Sequence, residues 1–189
     1  NKCISAVADV IADYDVLVLP GFNYAGCGTI AKENPNKKII LVDTAPTDDK
    51  GNAVELANVY SMTFAEQESG FFAGIAAALE SKTGKVAVVN GIAYPSNVNY
   101  QWGFESGVNY AAAKYGTKTQ CVEIASYAGT DVTGANVGGN YIGSFADEAS
   151  GKVVGNALIA KGCDILFVAA GSSGNGVFAA AKEAKNVFV

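Results

Sequence analysis

The chain has no histidine and no arginine in 189 residues. Histidine is the usual general base near neutral pH and the commonest metal ligand, and arginine is the usual bidentate clamp for carboxylate and phosphate. Their absence works against a hydrolytic triad, a histidine zinc site and an arginine-gripped anion. The thirteen basic residues are all lysines and are scattered, and the formal charge is −5, so no basic face is available to neutralise a nucleic-acid backbone. Nucleic acid is not an expected partner. The four cysteines, Cys3, Cys27, Cys121 and Cys163, lie far apart with no C-x-x-C pair. That spacing fits neither a zinc knuckle nor a thioredoxin motif and reads as small buried apolar residues. No apolar run approaches the ~20 residues a membrane helix needs; the best is Phe71 to Leu79. The chain has no starting methionine and stops at "NVFV", which reads as an unfinished strand, so it is expected to be a piece of a longer protein.

Half of the residues are hydrophobic, enough for one sizeable core or two small domains. "ISAVADVIADY" has helical apolar spacing, "DVLVLPG" is a β-branched run closed by Pro20-Gly21, "GTIAKEN" reads as a helix and "KKIILVDT" as a buried strand. The polar stretch "TAPTDDKGNAVELAN", followed by the strand "VYSMTF", marks a boundary between two lobes, 1–64 and 65–189. Beyond it, Thr63 and Glu66 have capping-box spacing for a helix whose Gly70 and Gly74 predict close approach to a sheet. "GKVAVVNG", "NYQWGFESGVNYAAAKYG" and "TQCVEIASY" continue as strand, helix and strand. A glycine-rich surface loop is expected over 128–140, then a helix opened by Ser144 and Asp147, and then "CDILFVAAGSSGNGVF" as strand, turn and helix. Strands alternating with helices predict parallel sheets covered by helices.

Ligands of open parallel α/β sheets gather beyond the carboxyl ends of the strands. The segments placed there are Gly21-Phe22-Asn23, Asp43-Thr44, Asn90-Gly91, Tyr141 to Asp147 and Gly171 to Gly176. They are rich in aromatic, amide, hydroxyl and backbone groups, which suits a neutral, flat, hydroxylated ligand better than an anion. "GSSGNG" is out of register for a Walker loop and for a dinucleotide fingerprint. As a nucleophile elbow it lacks the second glycine and a histidine. It reads either as a helix start aimed at a ligand or as an ordinary strand-to-helix turn. Asp43 reads either as an acceptor for sugar hydroxyls or a base N–H or as a simple helix cap or surface turn. Tyr100, Trp102 and Phe104 cannot all face one way; Phe104 is expected in the core and Tyr100 against the ligand. Glu66 and Glu68, in a first helical turn, complement the helix dipole.

"SMTFAEQESGFFAGIAAALESKTGKVAVVNG", "YQWGFESGV", "YIGSFADEASGK" and "ILFVAAGSSGNGVFAAAKEA", in this order and with "YDVLVLPGF" and "KIILVDT" before them, resemble the basic membrane protein family. These are substrate-binding lipoproteins of ABC transporters that include purine nucleoside receptors. The resemblance implies a type I periplasmic-binding-protein fold, present here incompletely, with two Rossmann-like lobes that close on a nucleoside. It implies a non-catalytic, extracytoplasmic receptor that needs no cofactor or metal and delivers a nucleoside to a membrane permease. A ligand-sensing regulatory domain of the same fold is the alternative. By the likeness, Asp43 ends a strand at the cleft, Tyr100 stacks on the base, Phe167 and the Gly171-Ser172 turn line the ribose side, and Phe22 contributes beside them. The strands missing from such a fold would leave sheet edges open to pairing with another chain.

Overall fold

A computed structural model describes residues 2–189. The chain forms two compact units, Asn1–Phe64 and Ala65–Val189.

In the N-terminal unit, helix α1 (Lys2–Val10) leads into β1 (Val16–Pro20), a 3-10 turn over Phe22–Cys27, α2 (Gly28–Glu33), β2 (Lys38–Val42) and β3 (Val59–Met62). The strands form one parallel sheet in the order β1-β2-β3. Strand alternation sends Leu17, Leu19, Ile39 and Leu41 to one face, where they bury against Val7, Ile11, Cys27 and Ala31. The row Val18, Ile40 and Tyr60 points to the opposite face, where Val18 is 60 % and Tyr60 64 % exposed.

The C-terminal unit covers its sheet on both faces, as parallel strands require. Its elements are α3 (Glu66–Glu80), β4 (Lys85–Asn90), α4 (Pro95–Tyr115), β5 (Gln120–Cys121), β6 (Gly129–Thr130), β7 (Asn136–Gly138), α5 (Glu148–Ala160), β8 (Ile165–Ala169) and α6 (Gly174–Ala184). The parallel sheet has the order β5-β4-β8, and Phe188 extends it by a parallel bridge to Ile165. Val86 and Val88 of β4 pack with Phe104, Val108 and Ala77 on the α3–α4 side. Ala87 and Val89 pack with Val154, Leu158 and Val177 on the α5–α6 side.

Several local expectations change. Gly70 and Gly74 admit helix α4, not a sheet: added Cβ atoms would lie 2.5 Å from Tyr100 O and 2.1 Å from Phe104 O. Gly103 and Gly107 reciprocate, at 2.2 Å from Gln67 O and 2.1 Å from Phe71 O. Four glycines thus bring two helix backbones into contact. The capping box at Thr63 and Glu66 is not formed; Ala65 is the N-cap, without a side-chain bond. Glu66 is buried and its carboxylate accepts from Asn99 Nδ2 at 3.2 Å. Helix α5 is capped by Asp147, which accepts from Ser150 N at 2.9 Å, and Ser144 instead accepts from Ala146 N. "TQCVEIASY" holds only the two-residue β5, because the fully buried Asn140 takes over: its amide donates to Val88 O and Val122 O and accepts from Ile124 N. The 128–140 segment contains an antiparallel hairpin of β6 and β7, with Gly139 and Asn140 buried behind it. Cys27 and Cys163 are buried, whereas Cys3 and Cys121 are half-buried, and none of the four forms a disulfide among the described residues.

Candidate functional site

In the C-terminal unit β4 and β8 run in register to Asn90 and Ala169, and the chain leaves β4 on Gly91 and β8 through Ala170 and Gly171. Gly91 N donates to Ala169 O at 3.2 Å, and Gly143 N donates to Gly91 O at 2.8 Å. Phe145 lies across this junction: a Cβ on Gly91 would sit 2.3 Å from its ring, and one on Gly171 3.0 Å from its carbonyl oxygen. The Tyr94 ring stands 5.9 Å from that of Phe145, tilted by 39°. Two strand ends therefore carry a half-buried aromatic platform; Phe145 falls within the Tyr141 to Asp147 segment placed at the strand ends from sequence, but neither it nor Tyr94 was singled out there as a contact residue. The available signal was Gly91 directly after a buried strand, which marks close approach, but the approaching residue is 54 positions away.

Beside this platform lies a cavity of about 490 Å³ lined by Asn97, Tyr100, Phe167, Ala169, Gly171 and Phe178, among others. Tyr100 and Phe167 meet with ring centroids 5.9 Å apart at 59°. Phe167 in turn stacks on Phe104 at 5.5 Å and 3°. Phe104 is fully buried and Trp102 is 53 % exposed, so the α4 aromatics divide between core, cavity and solvent. Gly171, with φ +55°, also borders the cavity, bringing Tyr100, Phe167 and Gly171 together.

The glycine-serine turn holds a neighbouring loop. Ser172 Oγ donates to Phe145 O at 3.0 Å, and Ser173 N donates to the same oxygen at 3.2 Å. The buried Ser173 Oγ donates to Ser144 O and accepts from Asp147 N. The turn's first task is thus to fix Phe145, with the exposed Ser172 hydroxyl still able to accept one further bond. In the N-terminal unit, Asp43 is exposed at the end of β2 with φ +65°, and its N–H donates to Met62 O at 2.8 Å. Left-handed backbone at a non-glycine residue is uncommon and concentrates at functional positions. Phe22 is half-buried and opens the 3-10 turn after Gly21.

Groups able to do covalent or acid-base work are few. Burial pushes the Cys121 thiol up to about 12 and the Cys163 thiol to about 11, leaving neither as a thiolate at neutral pH. Behind the site, Tyr141 donates to Gln101 Oε1 at 2.6 Å. Burial raises its pKa first, with the Glu105 and Glu123 charges adding. Among the described residues, no three side chains of the metal-ligating types converge on one point, and no helix is long and apolar enough to cross a membrane. The arrangement can stack a flat group and offer it amide, hydroxyl and backbone contacts.

The C-terminal unit is thus a parallel α/β unit with an aromatic, lysine-free cavity beyond its strand ends, an arrangement suited to a small molecule, and solved structures of similar fold include solute-binding proteins. A solute-binding protein of an ABC transporter system from Aeropyrum pernix superposes with a TM-score of 0.77 at 27 % identity, covering 96 % of this chain and 46 % of that one. A transcriptional activator of the comK gene from Bacillus halodurans matches with TM-score 0.59 at 21 % identity, covering 97 % of this chain and 52 % of that one, a likeness of fold alone. Residues 4–189 match the family model described as ABC transporter substrate-binding protein, PnrA-like, and the chain belongs to that family. Among relatives, the ABC transporter nucleoside-binding protein BmpA of Lactococcus lactis is 32 % identical over 80 % of this chain and 36 % of its own length. Basic membrane protein A of Borreliella burgdorferi is 31 % identical over 91 % of this chain and 44 % of its own. The chain spans less than half the length of these relatives.

Proposed function

We propose that this chain is part of an extracytoplasmic, envelope-anchored receptor that binds a nucleoside, with a purine base, and passes it to an ABC permease without chemically altering it. The observation that carries the reading is the cavity beyond β4 and β8, where Tyr100 and Phe167 meet beside the Phe145 platform with no lysine in the lining. A neutral aromatic base is the ligand such rings hold well, and the amide, hydroxyl and backbone groups at Asn97, Ser172 and Gly171 suit its polar edges and a sugar. Tyr100 and Phe145 are the proposed stacking residues, with Phe167 behind Tyr100, and Phe167, Gly171 and Ser172 are the proposed sugar-side contacts. Asp43 and Phe22 are the proposed contributions of the N-terminal unit, and the left-handed backbone of Asp43 supports its choice. The name of the Lactococcus relative points to the same ligand class.

Thermal shift on the complete protein tests the reading. Nucleosides should raise the melting temperature, with about 2.7 kcal/mol of added stability at a ligand concentration a hundred times Kd. Stabilisation by sugars or amino acids alone would overturn it.

A further inference from the structure

Asn97 lies in the first turn of α4, is 7 % exposed, and lines the cavity with Tyr100 and Phe167. Two acceptors orient its amide: Nδ2 donates to Ala169 O at 2.7 Å and to Asn90 Oδ1 at 3.2 Å. A carbonyl oxygen only accepts, so the Ala169 bond identifies which end of Asn97 is the nitrogen. Asn97 then dictates Asn90, which is fully buried at the end of β4 and leaves its own Nδ2 without a partner. Turning Asn90 over would set two N–H groups against each other. The pair thus keeps a buried unpartnered donor while holding Asn97 in one orientation across the ends of β4 and β8. Both Nδ2 hydrogens of Asn97 are committed. Its Oδ1 accepts no hydrogen bond among the described residues and is not among the buried unpartnered atoms. The free polar atom that Asn97 brings to the cavity is therefore a pure acceptor, beside two aromatic rings.

We propose that Asn97 is a specificity-determining residue whose Oδ1 accepts a hydrogen bond from an N–H of the base, so that the site takes bases carrying an amino or ring N–H over bases carrying acceptors only. This rests on the nucleoside reading above. An acceptor held this rigidly gains nothing from an acceptor-only edge and is left desolvated against it, the situation in which binding sites discriminate most sharply.

The test is calorimetric titration of the complete protein with adenosine, inosine and purine riboside, the last having the same ring system and sugar but no N–H on the base. The first two should bind on the order of ten-fold tighter or more, and Asn97→Ala should reduce that ratio to about one by weakening only them. Equal affinities for all three in the unaltered protein would overturn the proposal while leaving the nucleoside reading intact, and need no variant to fold. A parallel loss for all three in Asn97→Ala would also overturn it, since that is the signature of a strut between β4 and β8. Failure of any nucleoside to bind would overturn both readings.

Discussion

At the scale of the residue, the polar groups behind the candidate site carry the clearest energetic consequence. Glu105 on α4 has its Oε1 sealed from solvent with no partner. Burial raises its pKa, a hydrogen bond with Gln101 opposes the rise, and the Glu123 charge adds to it. With the folded-state pKa above the unfolded one, its contribution to stability is full below the unfolded value and is lost as pH rises through the folded value. Glu105→Gln should therefore melt at a higher temperature than the parent near pH 7, with the gap closing toward about pH 4. Thermal unfolding of both proteins at the two pH values checks this; a gap independent of pH would assign the effect to packing. Residue identity alone could not reveal this group, because Glu105 in "GFESGV" reads as an ordinary helical acid until α4 is laid against Cys121, Glu123 and Tyr141.

At the scale of the element, the α3–α4 pair is decided by absent side chains. Replacing glycine by alanine inside a helix ordinarily stabilises by about 1 kcal/mol. Gly74→Ala would place a methyl 2.1 Å from Phe104 O, so the sign should reverse, with a net loss of roughly 1–3 kcal/mol from overpacking. Gly26→Ala, whose Cβ would meet Ile4 at an ordinary 3.6 Å, is the control. Denaturant unfolding of the two variants reads the contrast, and near-neutral Gly74→Ala would show that the helices separate at little cost. The strands and helices themselves were legible, since β-branched runs and helical apolar stripes are local signals, and the predicted "KVAVVN" and "ILFVA" are the central pair of the sheet. Helix starts were less legible. Thr63-x-x-Glu66 has the spacing of a cap, but α3 begins after Ala65 while Glu66 turns to Asn99. The hairpin at β6–β7 was hidden by a composition of glycine and asparagine that serves turns and surface loops equally.

At the scale of the whole molecule, the two units differ in how their sheets are covered. The C-terminal sheet has helices on both faces, whereas the N-terminal sheet leaves the row Val18, Ile40 and Tyr60 on its open side. Parallel sheets are normally buried on both faces, and apolar patches of this kind drive association. The 189-residue chain by itself should self-associate as concentration rises, and Val18→Lys should reduce this. Sedimentation velocity over a concentration series checks it; a single monomeric species throughout would remove the expectation. Of the candidate site residues, Tyr100, Phe167 and Gly171 share one cavity, and Ser172 adjoins it with its hydroxyl donated to Phe145 O.

The sequence by itself determined the main alternation of strands and helices and the parallel α/β class, and its lack of histidine and arginine works against several kinds of catalysis within these residues, because each depends on local pattern or composition. Only the tertiary structure decided that Phe145 lies over Gly91, that Asn97 joins the ends of β4 and β8, and that Gly70 and Gly74 meet Gly103 and Gly107. Those contacts join residues remote in the chain, and their geometry is set by how the helices seat on the sheet and on each other.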